Sequence, residues 1–136
     1  MLCRVSGRVY GIELGTVREI IPFRRATRLP GSGVHVAGLV NVRGTIVTVL
    51  ELSAWLTATA PAVVRTEGSI VLIEYGSKLV GAAVDEVLDV RGVADVELGT
   101  EAEALVPGGA VLAVGRLDGE VVAVLDIHDI IAQVLA

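Results

Sequence analysis

The sequence repeats itself, and the repeat limits what the chain can fold into. Arg8 to Ile20 lies over Lys78 to Val90 without a gap, matching base to base, Gly11 to Gly81, Val17 to Val87, Glu19 to Asp89 and Ile20 to Val90. Gly44 to Leu52 lies over Gly119 to Ile127 in the same way, with Val47 on Val122, Val49-Leu50 on Val124-Leu125 and Glu51 on Asp126. The offsets are 70 and 75 residues, and the two matches keep their order, so one architectural unit is used twice.

Each unit reads as short strands punctuated by glycine. In the first, Leu2–Val5 and Arg8–Leu14 flank a Ser6-Gly7 turn, and Thr16–Ile21 is a short strand or helical turn stopped by Pro22. Val36–Val42 and Thr45–Leu50 meet across Arg43-Gly44, and Leu52–Leu56 is a helical turn capped by Glu51 or Ser53. In the second, Ile70–Glu74 and Lys78–Val84 join through Tyr75-Gly76-Ser77. Val111–Arg116 and Glu120–Leu125 join across Leu117-Asp118-Gly119, where Asp-Gly is a strong hairpin signal. Ile127–Leu135 has the apolar spacing of an amphipathic closing helix.

The expected fold is therefore mainly β: two small five-stranded barrels, with short helical turns and a C-terminal helix. The approximate halves are 1–66 and 67–136, with crossing of strands or termini allowed, and Thr57 to Thr66 connects them. A half of that size is marginal alone, so the two should pack together over a shared core.

Composition supports a globular chain, with 53% hydrophobic residues, 20% charged and 3% aromatic. Mean hydropathy is +0.72, yet the longest uncharged run, Leu29 to Val42, has 14 residues, short of the roughly 20 that a spanning helix needs. Arg4 and Arg8 interrupt the start before any signal-like apolar run, so the expected address is cytoplasmic. Cys3 is the single cysteine, leaving no internal disulfide and no cysteine metal cage.

The net charge of −5 argues against nucleic acid, as do the scarce aromatics. Its distribution is uneven. Residues 1–66 hold eight arginines against three acids, a net of +5, while residues 67–136 hold three cations against thirteen acids, a net of −10. Such opposed fields either steer association with a similarly built chain or reflect drift of surface charge.

Catalytic signatures are lacking. There is no phosphate-binding glycine motif and no nucleophile elbow, and His35 and His128 stand without metal-ligand partners. Asp85, Glu86, Asp89, Asp126 and Asp129 read as solvated faces and helix caps. No cofactor or metal is expected, and the chain reads as a binding module.

Two features stand out as sites. Arg43 sits at a hairpin tip that does not require arginine, and Glu19 is long enough to reach its guanidinium fork if the loops meet. The competing reading is an exposed arginine of no energetic consequence. The loop Arg18 to Arg28, carrying Arg24 and Arg25 and closing in Thr27-Arg28, is either merely soluble or an electrostatic dock for an acidic surface.

Tyr10 to Ile20, then Thr27-Arg28-Leu29-Pro30, then Gly38 to Leu52 with its Gly-x-x-Asn-x-Arg-Gly block, resemble the CheW-like adaptor domain of bacterial chemotaxis. Ile70 to Ile73, Gly81 to Val90 and Val121 to Ile127 continue the resemblance through the second half. It implies two packed five-stranded barrels and a non-enzymatic adaptor coupling chemoreceptor cytoplasmic tips to a CheA-type histidine autokinase through the kinase's regulatory domain. Other CheW-like domains are further implied partners. Neither nucleic acid nor membrane insertion is.

By the same resemblance Arg43 and Gly44 form the sensitive loop, and Val17, Glu19 and Ile20 lie toward a receptor-binding groove between the barrels. Thr27 and Arg28 belong to the partner-facing set. Thr48 and Glu51 depart from the family's proline and aspartate, Gly31-Ser32-Gly33 loosens one loop, and Asp95 to Gly109 is acidic and proline-poor. The alternatives are a CheW-like accessory protein binding receptor or kinase alone, and a small barrel of unrelated use that would need a substantial pocket.

Overall fold

A computed structural model describes residues 1–28, 30–31, 33–58, 65–89, 96–97, 109–117 and 119–135. The strands are β1 (Leu2–Val5), β2 (Arg8–Ile12), β3 (Val17–Pro22), β4 (Val36–Val42), β5 (Thr45–Glu51), β6 (Ser69–Tyr75), β7 (Lys78–Val84), β8 (Glu86–Asp89), β9 (Val96–Glu97), β10 (Val111–Leu117) and β11 (Glu120–Leu125). A 3₁₀ turn, Leu14–Thr16, precedes β3, and two helices, α1 (Leu52–Thr57) and α2 (Ile127–Leu135), follow β5 and β11. The expected hairpins and closing helix are present. Asp118 lies outside the described residues, as does most of the acidic stretch from Asp95 to Gly109.

One sheet has six strands in the order β8-β1-β2-β11-β10-β9, the other five in the order β3-β6-β7-β5-β4. The two-residue β9 adds a sixth strand to the first sheet beyond β10. Neither sheet closes as a ladder among the described residues. The five-stranded sheet comes nearest: past Pro22 the chain makes a single antiparallel bridge, Thr27 with Leu39, between the continuation of one edge strand and the other edge strand.

Strands cross over between the approximate halves. The five-stranded sheet is one contiguous segment, β3 to β7, whereas the six-stranded sheet joins β1 and β2 to β8 through β11. The two repeat units have thus exchanged their first hairpins. Each exchanged hairpin is joined on both sides, by an antiparallel pairing (β1 with β8, β3 with β6) and by a parallel one (β2 with β11, β5 with β7). The parallel joints are built alike: Gly11 lies opposite Val124, and its repeat equivalent Gly81 lies opposite Val49.

The reason a pattern cannot reveal the exchange is physical. Equivalent strands carry equivalent hydrophobic faces, so pairing within a unit and pairing between units satisfy the same alternation. The charge division shrinks accordingly. Residues 17–84 hold seven cations against four acids, a net of +3, and the rest of the chain holds four against twelve, a net of −8.

Strand alternation fills three cores. Ile21, Val40, Val42, Val47, Val49, Ile70, Leu72 and Ala83 pack inside the five-stranded sheet. Leu2, Val9 and Val122 pack inside the six-stranded one. The largest cluster is shared, with Cys3, Val5, Tyr10, Ile12, Leu125 and Ile130 from one side meeting Leu50, Leu52, Val71, Ile73 and Val80 from the other. Burial pushes the Cys3 thiol up to about 12, against the pull of the N-terminal amino group, so it stays protonated.

Glu51 is 5% exposed, the one buried charged residue among those described. It does not cap α1 with its side chain, as expected from sequence; its carboxylate takes Arg65 instead. Arg65 donates from Nε at 2.9 Å and 3.2 Å and from Nη2 at 2.5 Å. Ser53 Oγ donates to the same carboxylate at 2.8 Å. The Arg65 fork continues to Asp85 Oδ1 at 2.9 Å, and Asp85 Oδ2 accepts the Ser6 N–H at 2.8 Å. Burial works against the guanidinium charge; Glu51 and then Asp85 outweigh it and raise the Arg65 pKa.

Two stability measurements follow from this packing. A Cβ on Gly81 would lie 2.8 Å from Ile70 Cγ2 and 3.0 Å from Val49 Cγ2, whereas one on Gly11 meets Val124 Cγ2 at 3.2 Å. Those methyl groups belong to stiff β-branched side chains. Gly81→Ala should therefore lose about 1–3 kcal/mol in urea denaturation, and Gly11→Ala less. Arg65→Ala strands the buried Glu51 charge and should cost about 3 kcal/mol in the same assay, with no change in far-ultraviolet circular dichroism below the transition.

Candidate functional site

The β4–β5 hairpin closes at the pair Val42 and Thr45, leaving Arg43-Gly44 as a two-residue turn. Both carry positive φ, 50° and 87°, as the tight turn matching strand twist demands. Glycine meets this freely, while arginine holds a left-handed conformation against its own Cβ. Asn41 steadies the turn by accepting the Gly44 N–H through Oδ1 at 2.8 Å.

The expected clasp forms. Arg43 Nη1 donates to Glu19 Oε2 at 3.0 Å and Nη2 donates to Oε1, a two-pronged fork. The Arg43 side chain remains 71% exposed and that of Glu19 35%. The contact therefore serves geometry more than stability. It also joins β3 to the hairpin tip of β4, the two edges of the five-stranded sheet, and so draws the open sheet toward a barrel.

The basic loop is laid along the same edge. Thr27 and Leu39 exchange backbone hydrogen bonds, each 2.8 Å. Gly38, at φ 144°, makes room for this, because a Cβ there would sit 2.5 Å from the Thr27 carbonyl oxygen. Arg24 Nη1 donates to the Asn41 carbonyl at 2.9 Å. The Gly-x-x-Asn-x-Arg-Gly block thus has a local account at each fixed position: Gly38 seats the loop, Asn41 braces the turn, Arg43 clasps Glu19 and Gly44 completes the turn.

Of the loop's cations, Arg18 pairs with Glu74 and Arg24 is spent on a carbonyl. Arg25 and Arg28 are exposed and enter no salt bridge among the described residues. Thr27 is exposed but fixed through its backbone.

Strand β3 separates residues that the sequence reading grouped. A bulge between Val17 and Glu19 shifts the register against β6. Val17 lies opposite Ile73 and Ile20 opposite Val71, both of the shared core, so these two face the space between the sheets. Val17 is half-buried there, while Ile20 stays 38% exposed. Glu19 lies opposite Leu72, inside the five-stranded sheet, and turns to Arg43. One strand therefore presents an apolar strip on one face and a charged clasp on the other.

Sequence reasoning missed Gly38, Asn41 and the Glu51–Arg65–Asp85 cluster as distinct features. A lone acid ending an apolar strand, with an arginine in the following connection, was the available signal for the cluster. A pocket of about 130 Å³ lined by Glu13, Thr16, Leu112, Asp126 and His128 is well below the roughly 300 Å³ of a metabolite site.

The clasp has a titration signature. The hydrogen bond from Arg43 holds the Glu19 carboxyl below its usual range. A depressed folded-state pKa contributes stability that is present above the unfolded value and lost as pH falls through the folded one. Carboxyl-detected NMR should show Glu19 titrating lower in the wild type than in Arg43→Gln.

Residues 1–135 match the model of the CheW-like domain. The chain is 31% identical over 101 residues to the chemotaxis protein CheW of Bacillus subtilis strain 168, covering 74% of this chain and 64% of that protein. It is 31% identical over 109 residues to protein PilI of Pseudomonas aeruginosa, covering 80% of this chain and 59% of that one. The chain thus spans under two thirds of the length of these curated relatives. The crystal structure of the scaffolding protein TtCheW from Thermoanaerobacter tengcongensis superposes with a TM-score of 0.81 at 18% identity, over 93% of this chain and 82% of that one. The likeness in fold accounts for the paired sheets, and no helix among the described residues is long and apolar enough to cross a membrane. On the match of residues 1–135, the chain belongs to the CheW-like family.

Proposed function

We propose that this chain is a non-enzymatic adaptor that couples the cytoplasmic tip of a chemoreceptor to a CheA-type histidine autokinase in a chemosensory array on the cytoplasmic side of the membrane. The observation that carries the reading is the division of β3, with Val17 and Ile20 toward the inter-sheet space and Glu19 toward the hairpin tip. Two chemically different surfaces on one rigid strand suit two partners.

The apolar strip of Val17 and Ile20, half-buried and exposed respectively, has the character of a groove for a helical receptor tip. The tip Arg43-Gly44, with Thr27 and Arg28 farther back along the same β4 edge, forms a braced and positively charged edge for the kinase's regulatory domain or another CheW-like domain. In this reading Glu19 touches no partner. It holds Arg43 in place, and the free charges of Arg25 and Arg28 supply attraction that weakens with salt.

Calorimetric titration against the kinase's regulatory domain and, separately, a receptor tip fragment tests this. Both should bind. Arg43→Gln should weaken kinase-domain binding about tenfold and leave receptor binding unchanged, while Ile20→Ser should do the reverse. Kinase-domain affinity should fall between 50 and 300 mM salt, on the order of severalfold. Binding of the receptor tip alone would identify a recruiting protein that does not activate the kinase.

A further inference from the structure

Among the described residues the chain passes between its two sheets at two places, the 3₁₀ turn Leu14–Thr16 between β2 and β3, and the single residue Asp85 between β7 and β8. A one-residue connection between two sheets is where a hinge would lie. Here it is gripped from both sides. Arg65 Nη2 holds Asp85 Oδ1 at 2.9 Å, and the Ser6 N–H at the β1–β2 turn holds Oδ2 at 2.8 Å. The Asp85 N–H in turn donates to the Arg4 carbonyl at 3.0 Å.

Arg65 is itself mostly buried and multiply bonded. Its side chain is 12% exposed, Nε and the same Nη2 donate to the buried Glu51, and Nη1 reaches the Glu67 carbonyl at 3.4 Å. Gly68 clears the space, since a Cβ there would lie 2.8 Å from Arg65 Nη1 and 2.4 Å from the Val84 carbonyl oxygen. The network therefore runs from the end of β5 in one sheet, through Arg65 and Asp85, to the first hairpin of the other. The remaining described ion pairs, Arg18–Glu74 and Arg43–Glu19, lie within the five-stranded sheet.

We propose that Arg65 is a positioning residue: by clamping Asp85 it sets the angle between the two sheets, and coupling of two partners depends on that angle. The coupling half of this rests on the adaptor reading above; the angle does not. A shared apolar core resists separation of the sheets but fixes rotation between them weakly, because apolar contact is non-directional. A planar guanidinium bonded to two carboxylates through Nε and Nη2 is directional.

Asp85→Asn is the sharper test. Asp85 is 43% exposed, and asparagine keeps an acceptor for Ser6 while presenting no charge to Arg65. Arg65→Gln is the second variant. Residual dipolar couplings measured in both sheets of the wild type should fit one rigid arrangement. In Asp85→Asn each sheet should still fit alone while the joint fit fails, with receptor-tip and kinase-domain binding each within about twofold of wild type. Receptor-dependent kinase activation should drop about fivefold or more.

A joint fit that survives in both variants overturns the clamp. A failed joint fit with full activation overturns its role in coupling. A wild type that binds neither partner defeats the adaptor reading and leaves the dipolar result standing as the measure of the clamp. A merely structural arginine would lower melting and both affinities together without changing the sheet angle.

Discussion

Everything in this molecule depends on the exchange of hairpins between its two repeat units. The hairpin of β1 and β2 completes the sheet built by the second unit, and that of β6 and β7 completes the sheet of the first. One joint of each exchanged hairpin is a parallel pair, which local turns cannot make and which must recruit strands distant in sequence. A glycine at each parallel joint lets the backbones meet the facing valine, and the close fit at Gly81 leaves no room for a methyl group. Neither unit can bury its sheet alone, so the two sheets and the core between them form as one structure.

From that constraint follows the placement of the candidate site. Strand β3 leaves the first hairpin through a 3₁₀ turn and becomes the edge of the opposite sheet, paired with β6. Its bulge sends Val17 and Ile20 toward the inter-sheet space and Glu19 toward the far edge of its own sheet. There Arg43 meets it, and the Thr27–Leu39 bridge and the Arg24 bond to Asn41 tie the same edges. The five-stranded sheet is curled shut by side chains and one backbone bridge rather than by a ladder.

Much of this was legible. The repeat, the glycine turns and the closing helix were read from spacing alone. The Arg43–Glu19 clasp was posed because a hairpin tip has no need of arginine. The exchange was illegible for a definite reason, since strands with matching faces pair equally well within a unit or across units, and only three-dimensional packing chooses. Arg65 was illegible because it lies in a connection whose composition says nothing about where it folds back. Glu51 reads from sequence as a candidate helix cap, although a carboxylate in so apolar a run must find a cation once buried. The charge division by halves survived only in part, because the halves are not the sheets.

The account's central claim is that one rigid chain offers separate surfaces to two partners at once. Sedimentation of the chain with a receptor tip fragment and the kinase's regulatory domain, all at concentrations above their individual dissociation constants, measures this directly. The account predicts a single complex containing all three. Displacement of one partner by the other would contradict it, placing both on one surface and removing the coupling role.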